Sequence, residues 1–274
     1  MIEIVLIILA PFIGGLLYGF ERVLRARMQN RVGPPLLQPF YDMAKLMDKQ
    51  AFIINPTHAL LGIFHFLTLW FVVALLILGE NLLYIIFLHL FSTLLIILAG
   101  FSVNSIFSHI GANRELLVLL AYEPILIMIA AGFYILNGTF EITTIREQSM
   151  AMFPLFLLFL AFILIMPIKL KKSPFDAAEA HQEIVGGVEV EYSGVFFEFL
   201  YMAKWLEYIF IYLLLLLFAG NSILLGVVLF ITLFLLLNLV DNATARVKVQ
   251  DLLKIVLVIG ILLSFTNLIG LYYV

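Results

Sequence analysis

Residues 59–103 read ALLGIFHFLTLWFVVALLILGENLLYIIFLHLFSTLLIILAGFSV, and Glu80 is the only Asp, Glu, Lys or Arg among them. The stretch contains two apolar runs, 59–79 and 82–103, with a short polar turn between them. Each run is as long as the roughly 20 helical residues that cross a bilayer. The stretch therefore predicts a pair of transmembrane helices joined by a tight turn at one membrane surface.

The composition of the whole chain extends this prediction. Of the 274 residues, 64% are hydrophobic and 12% are charged, against about 25% charged residues in a soluble domain. One globular core cannot hide so much apolar surface, so lipid must solvate much of it. Unbroken apolar runs such as 213–218 exclude the alternating pattern of a membrane β-barrel. We therefore predict an all-α integral membrane protein that forms a single domain over residues 1–274.

Eight apolar stretches are long enough to cross the membrane. They lie at about 3–20, 59–79, 82–103, 115–136, 152–169, 197–219, 221–240 and 252–273. The first has no basic residue before it and a basic cluster after it, which predicts an uncleaved span with its N-terminus outside rather than a signal peptide. Long cytoplasmic loops are then expected after spans 1 and 5.

The basic residues agree with this orientation. Of the 15 Lys and Arg residues, all but Arg146 and Lys204 fall in the segments after spans 1, 3, 5 and 7. The positive-inside rule places such segments in the cytoplasm. This predicts a multi-pass protein of the cell (plasma) membrane.

The chain contains no cysteine. This excludes disulfides, cysteine-ligated zinc and an iron–sulfur cluster held by this chain alone. Two histidines within predicted spans, His65 and His89, lie about 10 Å apart in depth, too far to ligate one haem iron. We therefore expect neither a metal site nor a cofactor in this chain, and any redox centres of a larger assembly must lie on other subunits.

The predicted loop after span 5 is strongly acidic. Residues 173–194 read SPFDAAEAHQEIVGGVEVEYSG. The acids from this loop into the start of span 6 are Asp176, Glu179, Glu183, Glu189, Glu191 and Glu198. The first three have i, i+3, i+7 spacing, which would place them on one face of a helix that ends at Gly186-Gly187.

Two interpretations of this loop remain open. Dense unpaired acids repel one another, which raises carboxylate pKa values toward neutral pH and lets protons pass between them. Alternatively, the loop is simply solvated. Apolar residues interleaved with the acids favour a packed loop, and these are Phe175, Ile184, Val188, Val190 and Tyr192.

The predicted loop after span 1 begins ERVLRARMQNRVGPPLLQ at residues 21–38. Gly33-Pro34-Pro35 cannot continue a helix. After Pro39 the apolar spacing predicts a short amphipathic helix along the inner membrane surface. Taken alone, the basic residues are explained most simply by a solvated loop that obeys the topology rule.

Several ionisable residues lie within predicted spans 4 and 6. Near the membrane edge, where acids are commonly solvated, are Glu115 and Glu198, and deeper are Glu123, Lys204 and Glu207. A charge at the bilayer centre costs about 2.5–3.5 kcal/mol, so several together predict a function. Glu123 precedes Pro124, which frees a backbone carbonyl and makes a natural place for water. The alternative for Glu123 is an ion pair with Arg114 or Lys204.

Four blocks of residues resemble a known family. The first block comprises Glu21-Arg22, Met28-Gln29, Arg31, Gly33-Pro34, Leu36 to Pro39, Asp42 and Lys45-Leu46. The second comprises Arg114 and Tyr122-Glu123-Pro124, and the third comprises Ser173 to Asp176, Glu179, Glu183 and Glu191 to Gly194. The fourth comprises Arg246, Lys248 and Asp251. Through these blocks the chain resembles subunit 1 (the H subunit) of the complex I NADH dehydrogenases and the related membrane subunit of energy-converting nickel–iron hydrogenases.

The resemblance implies a tilted eight-helix bundle whose cytoplasmic loops dock to a peripheral redox arm. It also implies that the acidic loop and the membrane carboxylates begin an ion-translocation route toward antiporter-like subunits. By positional match the ion-pathway residues are Glu21, Glu123, Asp176, Glu179, Glu183 and Glu191, with Arg114 and Arg246 as charge partners. Their place in or beside the spans adds Glu115, Glu189, Glu198 and Glu207 to the pathway and Lys204 to the charge partners.

The chain departs from the complex I pattern at several positions. Its first loop lacks a longer insertion that the quinone enzymes carry, and it resembles the M-type membrane subunit of archaeal membrane-bound hydrogenase or sulfane reductase. His181 replaces a family acid, Glu189 a family Asn and Lys204 a family Glu. Because the first loop shapes the quinone chamber in complex I, the hydrogenase branch is favoured.

We therefore expect a non-catalytic membrane subunit of a ferredoxin-dependent, ion-pumping oxidoreductase complex. Expected partners in the redox arm are hydrogenase-like large and small subunits and an iron–sulfur subunit, which would carry the iron–sulfur clusters and a nickel–iron site. Expected partners in the membrane are antiporter-like subunits and the lipid bilayer. We expect no nucleic acid partner. Three alternatives are the H subunit of a quinone-reducing NADH dehydrogenase, a stand-alone ion transporter and a structural anchor. The choice between H⁺ and Na⁺ stays open.

Overall fold

The structure is a computed structural model that describes residues 1–273, with only the backbone described at His181. Val274, the last residue of the predicted domain, lies outside the described residues. The described chain is helical throughout and has no β-strand, which confirms the predicted all-α class. The helices are α1 (Ile2–Met28), α2 (Gln38–Asp48), α3 (Pro56–Leu78), α4 (Leu82–Phe101), α5 (Ile106–Asn137), α6 (Ile142–Glu147), α7 (Phe156–Lys169), α8 (His181–Ile184), α9 (Gly194–Leu217), α10 (Ile223–Ala243), α11 (Val249–Lys254) and α12 (Ile261–Tyr272), with a π-helical turn at Ile255–Gly260 joining the last two.

Among the described residues, seven helical segments are long and apolar enough to cross a membrane. They are α1, α3, α4, α5, α9, α10 and the continuous segment Val249–Tyr272. The fifth predicted span corresponds to α7, whose 14 residues extend about 21 Å at 1.5 Å per residue, less than a hydrocarbon core of roughly 30 Å. The count of eight spans and the orientation therefore stay predictions.

Local signals in the sequence set the α3–α4 hairpin. The Asn55 side chain accepts a hydrogen bond from the backbone N–H of Thr57 at the start of α3. Gly79, with φ of 85°, ends α3 in the left-handed conformation that favours glycine. The Asn81 side chain then accepts a hydrogen bond from the N–H of Leu83 and starts α4. The predicted pair of helices is confirmed.

The connections divide the bundle into two ends. Segments 29–55, 170–193 and 244–248 lie together at one end, which we call the loop end; Ser193 and Phe52 hydrogen-bond there, and the Val247 N–H donates to the Pro174 carbonyl. At the opposite end, Phe218 contacts three aromatic rings with centroids 5.1–5.6 Å away. Those rings are Phe133, Phe159 and Phe162. The opposite end therefore contains a cluster of four aromatic side chains.

The acidic loop folds against the bundle, but not as one helix. It forms a 3-10 turn at Ala177–Glu179, then α8, then a second 3-10 turn at Gly187–Glu189. The prediction that three acids share one helical face is therefore wrong, because burial of apolar side chains divides the segment. The prediction of a packed loop is confirmed, since Phe175, Ile184, Val188 and Tyr192 are buried.

One close backbone approach seats this loop on α5. A side chain on Gly111 would place its Cβ 2.5 Å from the Cα of Gly187. Gly187 itself has φ of 61°, which disfavours residues with a side chain. Two glycines are thus required where the acidic loop crosses the helix that carries Glu115 and Glu123.

Candidate functional site

The outermost acids of the loop pair with arginines from other elements. Arg246 donates two hydrogen bonds to Asp176, at 2.8 and 2.6 Å. Arg114 lies 2.7 Å from a carboxylate oxygen of Glu183 and donates to the Ala177 carbonyl at 3.0 Å. The hydrogen bond to Asp176 raises the pKa of Arg246. The arginines of α5 and of the segment before α11 thereby hold the first half of the acidic loop.

Further in, three acids surround two lysines. Lys171 lies 2.8 Å from Glu115 and 2.5 Å from Glu179. Lys204 of α9 lies 3.2 Å from Glu179 and 2.8 Å from Glu189. Each lysine is therefore shared by two carboxylates, and Glu179 is shared by two lysines.

The two loop acids in this cluster differ in proton affinity. Burial alone would raise the pKa of Glu179, but the charges of Lys171 and Lys204 outweigh burial and hold it well below its usual range. Burial and the negative charge of Glu179 raise the pKa of Glu189 against the same two lysines. The expectation of unpaired acids with raised pKa values is wrong for Glu179, because the two lysines lower its pKa, whereas the pKa of Glu189 is raised.

A third group of contacts lies inside the bundle. Glu207 of α9 lies 3.3 Å from Lys169 and 3.2 Å from the Nε2 atom of His89. Lys169 also donates to the Tyr122 hydroxyl at 3.2 Å. Lys169 and Glu207 are both largely shielded from solvent. We call Glu115, Glu179, Glu189, Glu207, Lys169, Lys171 and Lys204 the carboxylate–lysine series.

Glu123 is buried without a partner. The residue is 5% exposed, and neither carboxylate oxygen has a hydrogen-bond partner among the described residues. The charged groups that act on it electrostatically are Lys169 and Glu207. The alternative of an ion pair with Arg114 or Lys204 is wrong, because these cations have the partners given above.

Glu21 belongs to a separate buried cluster between α1 and α10. It lies 2.9 Å from Lys172 and 3.0 Å from Arg25. Arg25 also pairs with Asp241, and Lys172 donates to the Asn238 side chain at 3.3 Å. Burial lowers the pKa of Lys172, although Glu21 opposes this effect.

The predicted pathway residues Glu191 and Glu198 lie apart from the carboxylate–lysine series and from the cluster around Glu21. Glu191 is half-buried, and the group it influences electrostatically is His58. Glu198 is 4% exposed, and its Oε2 atom has no hydrogen-bond partner among the described residues. The expectation that Glu115 and Glu198 are solvated edge acids is wrong, because both are buried.

Two of the cavities among the described residues are each lined by several members of the carboxylate–lysine series. One of about 60 Å³ is lined by Glu115, Glu189 and Glu207. The other, of about 260 Å³, is lined by Glu21 and Glu179. Four residues line both cavities, namely Lys169, Lys171, Lys204 and Glu207. A cavity with polar walls needs only about 10–15 Å³ to hold a water, so both can hydrate the series.

Sequence reasoning missed several members of the site. Lys169, Lys171 and Lys172 were interpreted only as topology signals, although the structure makes each the partner of a buried acid. Their position directly before an acidic segment that contains no Lys or Arg was a signal that they supply its counter-charges. The partner choices of His89 and Tyr122 have no local signal, since they depend on helix packing.

The fold and the site define a multi-pass helical membrane protein that contains clustered acids and lysines bordering shared cavities. The family model for NADH dehydrogenase matches residues 2–272. The chain belongs to this family, that of NADH dehydrogenase subunit 1, also called the H subunit.

Two relatives and one solved structure show what the chain is similar to. It is 33% identical over 225 residues to the H subunit of the NADH-quinone oxidoreductase of Brevibacillus brevis, covering 73% of this chain and 66% of the relative. It is 31% identical to the NADH-ubiquinone oxidoreductase chain 1 of Mycosarcoma maydis, covering 73% and 68%. A chain of the membrane-bound sulfane sulfur reductase, an archaeal respiratory membrane complex, matches with a TM-score of 0.87, 23% identity and 98% of each chain covered. At that identity the likeness is one of fold.

Proposed function

We propose that this chain is the ion-coupling membrane subunit of a ferredoxin-dependent, ion-pumping complex related to complex I, either a membrane-bound nickel–iron hydrogenase or a sulfane reductase. Membership of the subunit 1 family supports a role beside a redox arm. The similarity in fold over nearly the full length of a sulfane reductase chain supports the branch. The chain itself holds no redox centre in this proposal; its partners carry the iron–sulfur clusters and a nickel–iron site.

The observation that carries the proposal is that the carboxylate–lysine series consists of two groups of contacts that line the same cavities. At the loop end, Lys171 and Lys204 join Glu115, Glu179 and Glu189. Inside the bundle, Lys169 contacts Glu207. Both groups line the two cavities described above, and Lys169 and Glu207 act electrostatically on Glu123. Buried charges of this kind are costly and mark ion pathways in membrane proteins. A solvated anchor would not need carboxylates that share lysines and border water-sized cavities.

The outer ion pairs offer a physical means of coupling. Asp176 and Glu183 lie on the loop end, where a redox arm would dock, and Arg114 and Arg246 connect them to the bundle. A change of charge or position there alters the field on Glu179, which two lysines already hold ionised. Coulomb interactions are strong where the local dielectric is low, so a small displacement at the arm shifts proton or cation affinity further in.

The aromatic cluster around Phe218 supports a need for partners. It places four aromatic rings at the end of the bundle opposite the loops, where no residue of the carboxylate–lysine series lies. In the proposal the ions leave sideways, toward antiporter-like membrane subunits.

The test uses the purified complex that contains this chain, reconstituted into liposomes. Glu207→Gln removes the charge that joins Lys169 and His89, and it should lower ion translocation per electron while electron transfer continues. Glu147→Gln, an exposed acid at the opposite end, is the matched control and should behave like the native complex. Native coupling in Glu207→Gln would refute the proposal.

A quinone-reducing role is the second candidate, and the quinone oxidoreductases among the relatives favour it. Quinone extracted from the purified complex, together with loss of turnover on adding a quinone-site inhibitor, would support this candidate. Ferredoxin-dependent turnover that resists the inhibitor would support the first.

A further inference from the structure

His65 of α3 is one of the residues that line the smaller cavity, together with Glu115 and Glu207. Its Nδ1 lies 2.8 Å from the backbone carbonyl oxygen of Ser92. A carbonyl oxygen only accepts hydrogen bonds, so Nδ1 carries the proton and Nε2 is the unprotonated nitrogen of the neutral ring. An imidazole that can accept a proton thus lies in the same cavity wall as a loop-end acid and the interior acid.

His89 of α4 holds Glu207 from the other side. Its Nε2 lies 3.2 and 3.3 Å from the two carboxylate oxygens. The ring is fully buried and stacks on Phe210 at 4.3 Å between centroids, with 4° between the planes. This geometry fixes the direction in which the Glu207 carboxylate points.

The surroundings of the two rings favour a proton over a larger cation. The charged groups that act on His65 are Glu207, Lys169 and Lys171, and those that act on His89 are Lys169 and Glu207. The Glu207 oxygens already contact nitrogen atoms of Lys169 and His89. A hard cation prefers oxygen ligands and would have to displace these nitrogens, whereas a proton adds to a nitrogen or oxygen without displacing any ligand.

We propose that the ion moved through this part of the pathway is a proton and that His65 relays it. In this proposal His89 is a positioning residue for Glu207. The proposal rests on the function proposed above. In the relay, a hydronium ion in the cavity gives its proton to Nε2 of His65, so that an N–H bond forms as an O–H bond breaks and water remains. The resulting imidazolium returns the same proton to water beside Glu207.

The relay is tested by His65→Asn in the reconstituted complex, with sodium-free buffers and a pH-sensitive dye inside the liposomes. The Asn amide nitrogen occupies the place of Nδ1 and keeps the bond to Ser92, but Nε2 is lost. Proton translocation per electron should fall by roughly tenfold or more, as expected for loss of a proton-transfer group. His109→Gln is the control, since the Nε2 atom of His109 bonds the Val103 carbonyl at 2.7 Å and the residue lines neither cavity.

If His65→Asn does not assemble, His65→Ala with added imidazole replaces it, and imidazole should restore translocation. Three results would each overturn the relay. They are native translocation in His65→Asn, absence of rescue by imidazole in His65→Ala, and a requirement of the native complex for Na⁺. Should Glu207→Gln uncouple the complex while His65→Asn does not, only this inference fails; native coupling in Glu207→Gln would instead remove the function on which it rests.

The positioning role of His89 has its own test. His89→Gln keeps a nitrogen donor at the position of Nε2 and should retain most of the coupling. His89→Leu keeps the bulk but removes the donor, and it should lose coupling. Equal losses in the two variants, or none in either, would contradict the assignment.

Discussion

At the scale of single residues, the charge on one acid of the site controls the proton affinity of the next. Glu179 and Glu189 share Lys204, at 3.2 and 2.8 Å. Burial and the Glu179 charge raise the pKa of Glu189 above the ordinary value of 4.5. The folded protein therefore holds this proton at pH values where the unfolded chain has released it. Stability contributed by the protonated form is lost as pH rises through the folded pKa.

Glu179→Gln removes that neighbouring charge, so it should lower the pKa of Glu189. The measurement is an infrared titration of the protonated carboxyl band, isolated by subtracting the spectrum of a Glu189→Gln variant. In the native background the band should persist above pH 4.5, and in Glu179→Gln it should disappear at a lower pH. Persistence to the same pH or a higher one would contradict this electrostatic coupling.

Lys172→Met tests the buried cluster at Glu21. The side chains of Lys172 and Glu21 are 1% and 3% exposed, and loss of one partner from a buried pair destabilises a protein by about 3–5 kcal/mol. The thermal midpoint of the purified complex should fall, whereas Lys248→Met, at an exposed position, should leave it unchanged. Because the penalty arises from the loss of one of the two counter-charges of Glu21, with Arg25 remaining, adding Glu21→Gln to Lys172→Met should recover part of the loss. No recovery in the double variant would contradict the pairing.

Individual partners were the least predictable feature from the sequence. The excess of acids in residues 173–194 was visible, but Lys171 pairs with Glu115, and Lys169 with Glu207, across long sequence separations. Only the packing of α5, α7 and α9 brings these side chains together. The place of Glu123 before Pro124 predicts a special role, and the residue is buried with no hydrogen-bond partner in the part of the chain that the structure describes; its role in the ion pathway stays a prediction.

At the scale of helices and loops, local signals predicted most boundaries. Residues 59–79 and 82–103 agree closely with α3 and α4, because asparagine caps and Gly79 define the ends of the two helices. Span 1 was predicted to end at residue 20, yet α1 continues to Met28. Arginine is a good helix former, and Glu21 and Asp241 supply counter-charges to Arg25 there, so the helix extends beyond its apolar part.

The seat of the acidic loop on α5 gives a prediction at this scale. In Gly111→Ala the new methyl group would press on the Gly187 backbone and shift the loop away from Lys204. The variant should lower both the thermal midpoint and ion translocation per electron. Gly270→Ala in α12 meets no atom within 4 Å and should be neutral or slightly stabilising, since alanine favours a helix over glycine. Native coupling in Gly111→Ala would show that the seat of the loop does not matter.

At the scale of the whole molecule, the distribution of polarity indicates an incomplete ion path. The carboxylate–lysine series extends from the loop end into the bundle, and the aromatic cluster around Phe218 lies at the opposite end. The chain reconstituted alone into liposomes should therefore carry neither H⁺ nor Na⁺ above the rate of protein-free liposomes. Transport by the isolated chain would favour a stand-alone transporter instead.

The central claim is that acids buried in the bundle relay ions that are coupled to redox chemistry elsewhere in the complex. The most direct measurement is the number of ions translocated per electron in reconstituted complex carrying Glu123→Gln, a change that alters charge but hardly alters volume. The account predicts a fall of about tenfold or more while electron transfer continues at close to the native rate. An unchanged ion-to-electron ratio would contradict it.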